Sequence, residues 1–238
     1  MTENQLEKTT PKKKEKKYSI TTEANQKGEH INHFLNAVRV IVLPILRVIK
    51  PFRFYGEKNV PKGGCLFICN HYAMLDPAYA AALTWEQIHF VAKKELFSNP
   101  IMNFLLKKVK AIGVNRDGND ARSLLDCFKC LKNGEKLCIF PEGTRNKGDV
   151  DMLPFHSGAA MMAIKCKVPL IPIVIYQKPK FFRMTHVLLG EPILLDSYYD
   201  RKLSNEEIGE VDDFLRQKML QMKAEHTDYL ESIKKNKA

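Results

Sequence analysis

The spacing of hydrophobic and polar positions changes several times along the chain, and each change predicts an element. Between Phe34 and Lys50 the period is helical. At 100° per residue Phe34, Val38, Ile41, Ile45 and Val48 share one face, with Leu35, Val42 and Ile49 beside them. Asn36, Arg39, Arg47 and Lys50 fall opposite, together with Leu43. This predicts an amphipathic helix with a basic polar face, kinked at Pro44, which cannot donate to the helical ladder. Its longest uncharged run, Val40 to Leu46, is seven residues, far short of the ~20 that a spanning helix needs. Two readings stay open: a helix lying flat in the headgroup region, or one packed on a domain.

From Phe52 onward short apolar runs alternate with helical stretches. Gly64 to Cys69, Ile88 to Ala92, Ala111 to Val114, Lys136 to Phe140, Pro169 to Tyr176 and His186 to Leu189 read as strands. Helical patterns lie near Pro77 to Leu83, Ile101 to Lys110, Asp120 to Lys132 and Ser157 to Lys165. The alternation predicts an α/β class: a mixed, largely parallel sheet flanked by helices. A long helix begins at about Ser204, where Ser204-Asn205-Glu206-Glu207 forms a capping box. The chain thus divides into a disordered basic tail (1–30), an amphipathic interfacial helix (31–54) and an α/β domain (55–238).

Composition narrows the classes of function. The chain has 238 residues, 45% hydrophobic and 27% charged, which is near the globular average and excludes fibrous and wholly disordered classes. The formal charge is +11, and the first thirty residues carry seven lysines against five acids, so most of the excess belongs to the body. An anionic partner follows: nucleic acid, acidic protein, phosphorylated metabolite or anionic bilayer. The six cysteines follow no secretory signal, which points to a reducing compartment and free thiols. Cys127 and Cys130 have redox or zinc spacing, yet no second ligand pair stands nearby in sequence, and no metal site is expected.

The chemistry collects where strands end, the places that border ligand crevices in α/β sheets. After the first predicted strand comes Asn70-His71-Tyr72-Ala73-Met74-Leu75-Asp76-Pro77. A histidine can take a proton from a hydroxyl, and a carboxylate on its far nitrogen fixes the tautomer. Asp76 before Pro77 is equally a helix N-cap. Phe140-Pro141-Glu142-Gly143-Thr144-Arg145-Asn146 ends another strand, with a tight turn and a guanidinium fork suited to phosphate. Gly113-Val114-Asn115-Arg116-Asp117 ends a third, where Arg116 is either a phosphate ligand or a surface charge paired with Asp117.

On these residues the chain resembles the glycerolipid acyltransferase family, most closely its 1-acylglycerol-3-phosphate acyltransferases. The family's histidine, four residues, aspartate block matches His71 to Asp76. Its second block matches Gly113 to Arg116, its Phe-Pro-Glu-Gly-Thr-Arg block matches Phe140 to Arg145, and its Val-Pro-x-x-Pro run matches Val168 to Pro172. Order and spacing agree over about Tyr55 to Leu189.

The resemblance implies that His71 is the general base for direct attack of an acceptor hydroxyl on an acyl thioester, with Asp76 orienting it. It implies that Arg116, Glu142, Gly143, Thr144 and Arg145 hold the glycerol phosphate, and that Val168, Pro169 and Pro172 shape the acyl or donor side. The implied substrates are lysophosphatidic acid and acyl-CoA or acyl-carrier protein, with no further cofactor. An anionic membrane surface is the expected partner rather than nucleic acid, on the cytoplasmic face as a peripheral protein. One departure stands out: the family usually has lysine where this chain has His156 in Phe155-His156-Ser157-Gly158, and imidazole meets phosphate strongly only when protonated. Three rival readings remain: another phosphorylated acceptor such as glycerol 3-phosphate, a different lysolipid, or a non-catalytic basic binder. A hydrolase lacks support, since no Gly-x-Ser-x-Gly elbow is present.

Overall fold

The computed structural model describes residues 31–58, 60–115, 120–156 and 158–236. The basic tail, Arg116 and Ser157 lie outside the described residues. The chain opens with helix α1 (His33–Ile49), followed by β1 (Phe52–Tyr55), β2 (Cys65–Cys69), α2 (Pro77–Ala81) and β3 (Ile88–Lys93). Next come α3 (Pro100–Lys108), β4 (Ile112–Val114), α4 (Ala121–Lys132), β5 (Lys136–Ile139) and α5 (Ala159–Cys166). Strands β6 (Leu170–Ile175) and β7 (Thr185–Leu189) and the long helix α6 (Asn205–Lys235) complete it. The capping box at Ser204 and Glu207 is present.

The seven strands form one sheet in the order β1-β7-β6-β2-β5-β3-β4. Strands β6, β2, β5, β3 and β4 run parallel, while β7 is antiparallel to β6 and parallel to β1. Every residue of β2, β5 and β6 is buried, as expected of parallel strands covered on both faces. Alternation divides them between two layers. Leu66 and Ile68 pack with α4, α5 and α6, whereas Cys65, Phe67 and Cys69 pack with Tyr79 and Ala80 of α2 and Leu46 of α1. Pro172 is tolerated inside β6 because β7 has ended opposite it, and the Gly190 N–H donates to its carbonyl at 3.0 Å.

Two expectations change. The segment 31–54 is not one helix: α1 stops at Ile49, and after Pro51 the chain becomes β1, paired with β7. Four residues of Phe-Arg-Phe-Tyr are too short to show a period of their own. The helix also runs unbroken through Pro44.

The orientation of α1 is the second change. Its buried side chains are Leu35, Arg39 and Leu46. Arg39, expected on the polar face, is 3% exposed and ends in backbone carbonyls: Nε donates to Ala81 O (2.9 Å), Nη1 to Trp85 O (3.0 Å) and Nη2 to Glu86 O (2.9 Å). Outward point Val40, Ile41, Ile45 and Val48, at 61%, 63%, 52% and 70% exposure. Arg39 is inside and a broad apolar stripe is outside, with Arg47 also exposed. Among the described residues no helix is long and apolar enough to cross a membrane.

Candidate active site

The carboxyl ends of β2 and β5 lie side by side, since Ile68 pairs with Ile139. Beyond β2, Asn70 continues the ladder with its side chain: Nδ2 donates to Ile175 O (3.0 Å) and Oδ1 accepts from Ile175 N–H (2.7 Å). This pins the start of the histidine turn to β6.

Within the turn, His71 Nδ1 lies 2.9 Å from Asp76 Oδ2, with the histidine side chain 15% exposed and the aspartate fully buried. The same oxygen accepts the Tyr72 and Ala73 N–H groups at 2.6 and 2.7 Å. Asp76 does occupy the N-cap of α2, with Pro77 opening the helix, but its carboxylate makes no cap bond: it folds back and closes the turn around His71. Because a carboxylate only accepts, Nδ1 presents its proton to Asp76, and Nε2 makes no hydrogen bond to any described residue. The ring stacks on Phe140 with centroids 4.2 Å apart, which fixes its plane.

Glu142 departs from its expected role. Its buried carboxylate accepts from the His71 N–H (2.7 Å) and the Leu153 N–H (2.9 Å). Burial pushes its pKa up, against the pull of the Leu153 and His71 amides. Glu142 therefore braces the His71 turn, with both carboxylate oxygens engaged by amides of its own chain rather than turned towards a ligand. Asn146 adds a second brace: its N–H donates to His71 O (2.7 Å) and its Nδ2 to Val150 O (2.7 Å).

Gly143 is required by geometry, with φ +65 and its Cα so close to the His156 ring that a Cβ would sit 2.7 Å from Cδ2. Its N–H is spent on Phe140 O, so it does not face an anion. Thr144 and Arg145 are exposed, and neither hydrogen-bonds or ion-pairs with a described residue. His156, also exposed, lies alongside, its ring against Gly143.

Arg116 lies outside the described residues, but its loop is tied at the base. Asp120 accepts from Asn115 N–H (3.0 Å) and Ser123 N–H (3.2 Å), and those bonds hold its pKa down to about 2. Val168 and Pro169 are not brought to His71: they are buried at the amino end of β6, on the opposite edge of the sheet, and Pro172 sits within the strand beside Ile68. All three serve packing and strand placement. A cleft of about 630 Å³ borders Tyr72, whose hydroxyl donates to Asp151 O (2.8 Å), and is lined by Lys178, Lys180, Arg183 and Lys223.

Sequence reasoning named His71, Asp76 and Arg145 and missed the supports Asn70, Asn146 and Phe140. The signal was present, since all three flank the two strand-end blocks, but a bracing amide has no spacing rule of its own.

A histidine held by a buried carboxylate thus stands on the carboxyl edge of a mixed sheet, beside a turn that carries an exposed arginine. The family model described as Acyltransferase matches residues 51–176, and the chain belongs to that family of enzymes. Among curated relatives, 1-acyl-sn-glycerol-3-phosphate acyltransferase of Bacillus subtilis is 34% identical over 66% of this chain and 79% of its own. The protein of the same name from Helicobacter pylori is 31% identical, over 63% and 76%. The crystal structure of the 1-acyl-sn-glycerophosphate acyltransferase PlsC from Thermotoga maritima shares the fold, with a TM-score of 0.63, 23% identity and 80% of each chain covered.

Proposed function

We propose that this enzyme transfers an acyl chain from an acyl thioester to the free hydroxyl of 1-acylglycerol 3-phosphate, giving phosphatidic acid. The names of the relatives support the acceptor and product. The observation that carries the mechanism is the His71–Asp76 pair with Nε2 left open. His71 Nε2 removes the hydroxyl proton as the oxygen attacks the thioester carbonyl. Asp76 stabilises the imidazolium that forms, the carbon–sulfur bond breaks, and the proton passes to the departing thiolate. Acyl-CoA and acyl-carrier protein both offer that thioester, and no further cofactor is needed. Thr144, Arg145 and Arg116 meet the acceptor's phosphate.

The enzyme works at an anionic bilayer as a peripheral protein on the cytoplasmic side. The outward apolar stripe of α1 supports this, together with Arg47 and the Phe181–Phe182 loop, whose Phe182 N–H donates to Ile49 O at the end of α1.

The test incubates purified protein with vesicles, oleoyl-CoA or oleoyl-carrier protein, and either 1-acylglycerol 3-phosphate or glycerol 3-phosphate, with mass spectrometry of the products. Phosphatidic acid is expected, reduced ~10²–10⁴-fold in His71→Ala. Full activity in that variant sinks the base assignment. Product only from glycerol 3-phosphate, or from another lysolipid, replaces the acceptor.

A further inference from the structure

On the opposite side of the sheet from His71, three side chains distant in sequence converge. His89 in β3, Cys130 in α4 and Glu135 in the turn before β5 bring Nε2, Sγ and a carboxylate oxygen within 4.8 Å of one another. They line a cavity of about 280 Å³. Asp126, one helical turn before Cys130, lines the same cavity.

The histidine is the telling member. His89 is only 8% exposed, and its Nδ1 lies 2.9 Å from Lys110 O. A carbonyl only accepts, so Nδ1 carries the proton and Nε2 turns a lone pair inward. That Nε2 lies 3.2 Å from Glu135 Oε2, yet it is buried without a hydrogen-bond partner. Two acceptors so placed need a proton or a cation between them. A ring nitrogen bonded to a backbone carbonyl, with the other aimed at a thiol and a carboxylate, is the arrangement that orients metal-binding histidines. Lys110 Nζ sits near the other carboxylate oxygen, 3.7 Å from Oε1.

We infer that His89, Cys130 and Glu135 bind a divalent ion of the zinc type, with water as the fourth ligand. One sulfur, one imidazole nitrogen and one carboxylate oxygen suit Zn²⁺ and its tetrahedral substitutes, and disfavour Mg²⁺ and Ca²⁺. Binding takes the Cys130 thiol to the thiolate and releases one proton to solvent. The ion braces: it ties the last turn of α4 to β3 and to the entry of β5. It does not touch the reacting atoms.

The test titrates Co²⁺ into the full chain after chelator treatment and follows the thiolate-to-cobalt absorption band, with bound metal counted by mass spectrometry. One Co²⁺ per chain is expected, displaced by Zn²⁺. The band should vanish in Cys130→Ser and persist in Cys127→Ser, and affinity should fall ~10-fold or more in Glu135→Gln and His89→Gln. Circular dichroism checks that each variant is folded, and Glu135→Gln, altering a partly exposed side chain, keeps the test open if Cys130→Ser fails to fold. No band in the parent chain means that a proton alone joins His89 to Glu135 and overturns the proposal. A band that survives both Cys130→Ser and Glu135→Gln overturns it equally.

Discussion

His71 and Arg145 stand on adjoining strand ends and are built in opposite ways. Around His71 the imidazole Nδ1, the backbone N–H and the backbone carbonyl are each bonded, to Asp76, Glu142 and Asn146. The ring plane is set by Phe140. Around Arg145 nothing is bonded among the described residues. Under the proposed function, the difference separates two tasks. A base must be held within fractions of an ångström before substrate arrives, because misplacement costs rate. A phosphate clamp gains from donors left open until the anion supplies their bonds, since a donor already satisfied has little left to offer.

The largest expected effect strikes the held half. Asp76→Asn keeps the size but reverses a donor–acceptor relation, and kcat should fall about 10³-fold or more with KM little changed, measured by steady-state kinetics on vesicles. A drop of less than tenfold would show that Asp76 serves the turn and not the proton. Next, Arg145→Ala should raise KM for the phosphorylated acceptor about 10–100-fold while kcat moves less than tenfold. Equal losses in both constants would place Arg145 with His71 and erase the contrast. Smaller again, Val40→Gln combined with Val48→Gln should weaken sedimentation with anionic vesicles about tenfold and leave activity on detergent-dispersed substrate intact. Loss of activity in detergent would mean that the stripe packs against protein.

The smallest effect concerns a buried carboxylate away from the base. Asp212 is 2% exposed; one oxygen accepts from Ala160 N–H at 3.1 Å and the other has no partner, so burial pushes its pKa up to about 7. The folded state therefore keeps a proton between pH 4 and 7 that the unfolded chain has lost. Stability falls as pH rises through that window, and the full cost is present above pH 7. Asp212→Asn should raise Tm by several degrees at pH 8, with the gain fading towards pH 4 in thermal melts. An equal gain at both pH values would assign the effect to packing.

Much of this molecule was legible beforehand, for identifiable reasons. The six predicted strands were found within a residue or two because their apolar runs are bounded by turns and, in β2, β5 and β6, buried on both faces. β1 escaped, being four residues with no period to show. The His71–Asp76 pairing could be anticipated because five residues of turn suffice to bring them together. The inward role of Glu142 could not, since a carboxylate in a phosphate-type turn gives no hint that it faces two amides of its own chain. The meeting of His89, Cys130 and Glu135 was equally hidden, because it depends on three elements packing in one place. For α1 the pattern identified a helix with a basic side, but the direction of that side was set by the carbonyls of Ala81, Trp85 and Glu86.

Those three carbonyls have a mechanical consequence. A guanidinium gripping the end of one helix and the loop beyond it removes the hinge that a surface-seeking helix would otherwise have. The stripe of Val40, Ile41, Ile45 and Val48 is thus the keel of a rigid hull. Under the proposed function, whatever surface the stripe settles on, the His71 edge settles with it at one fixed height and tilt, so the fold itself acts as the depth gauge for where an ester bond is made.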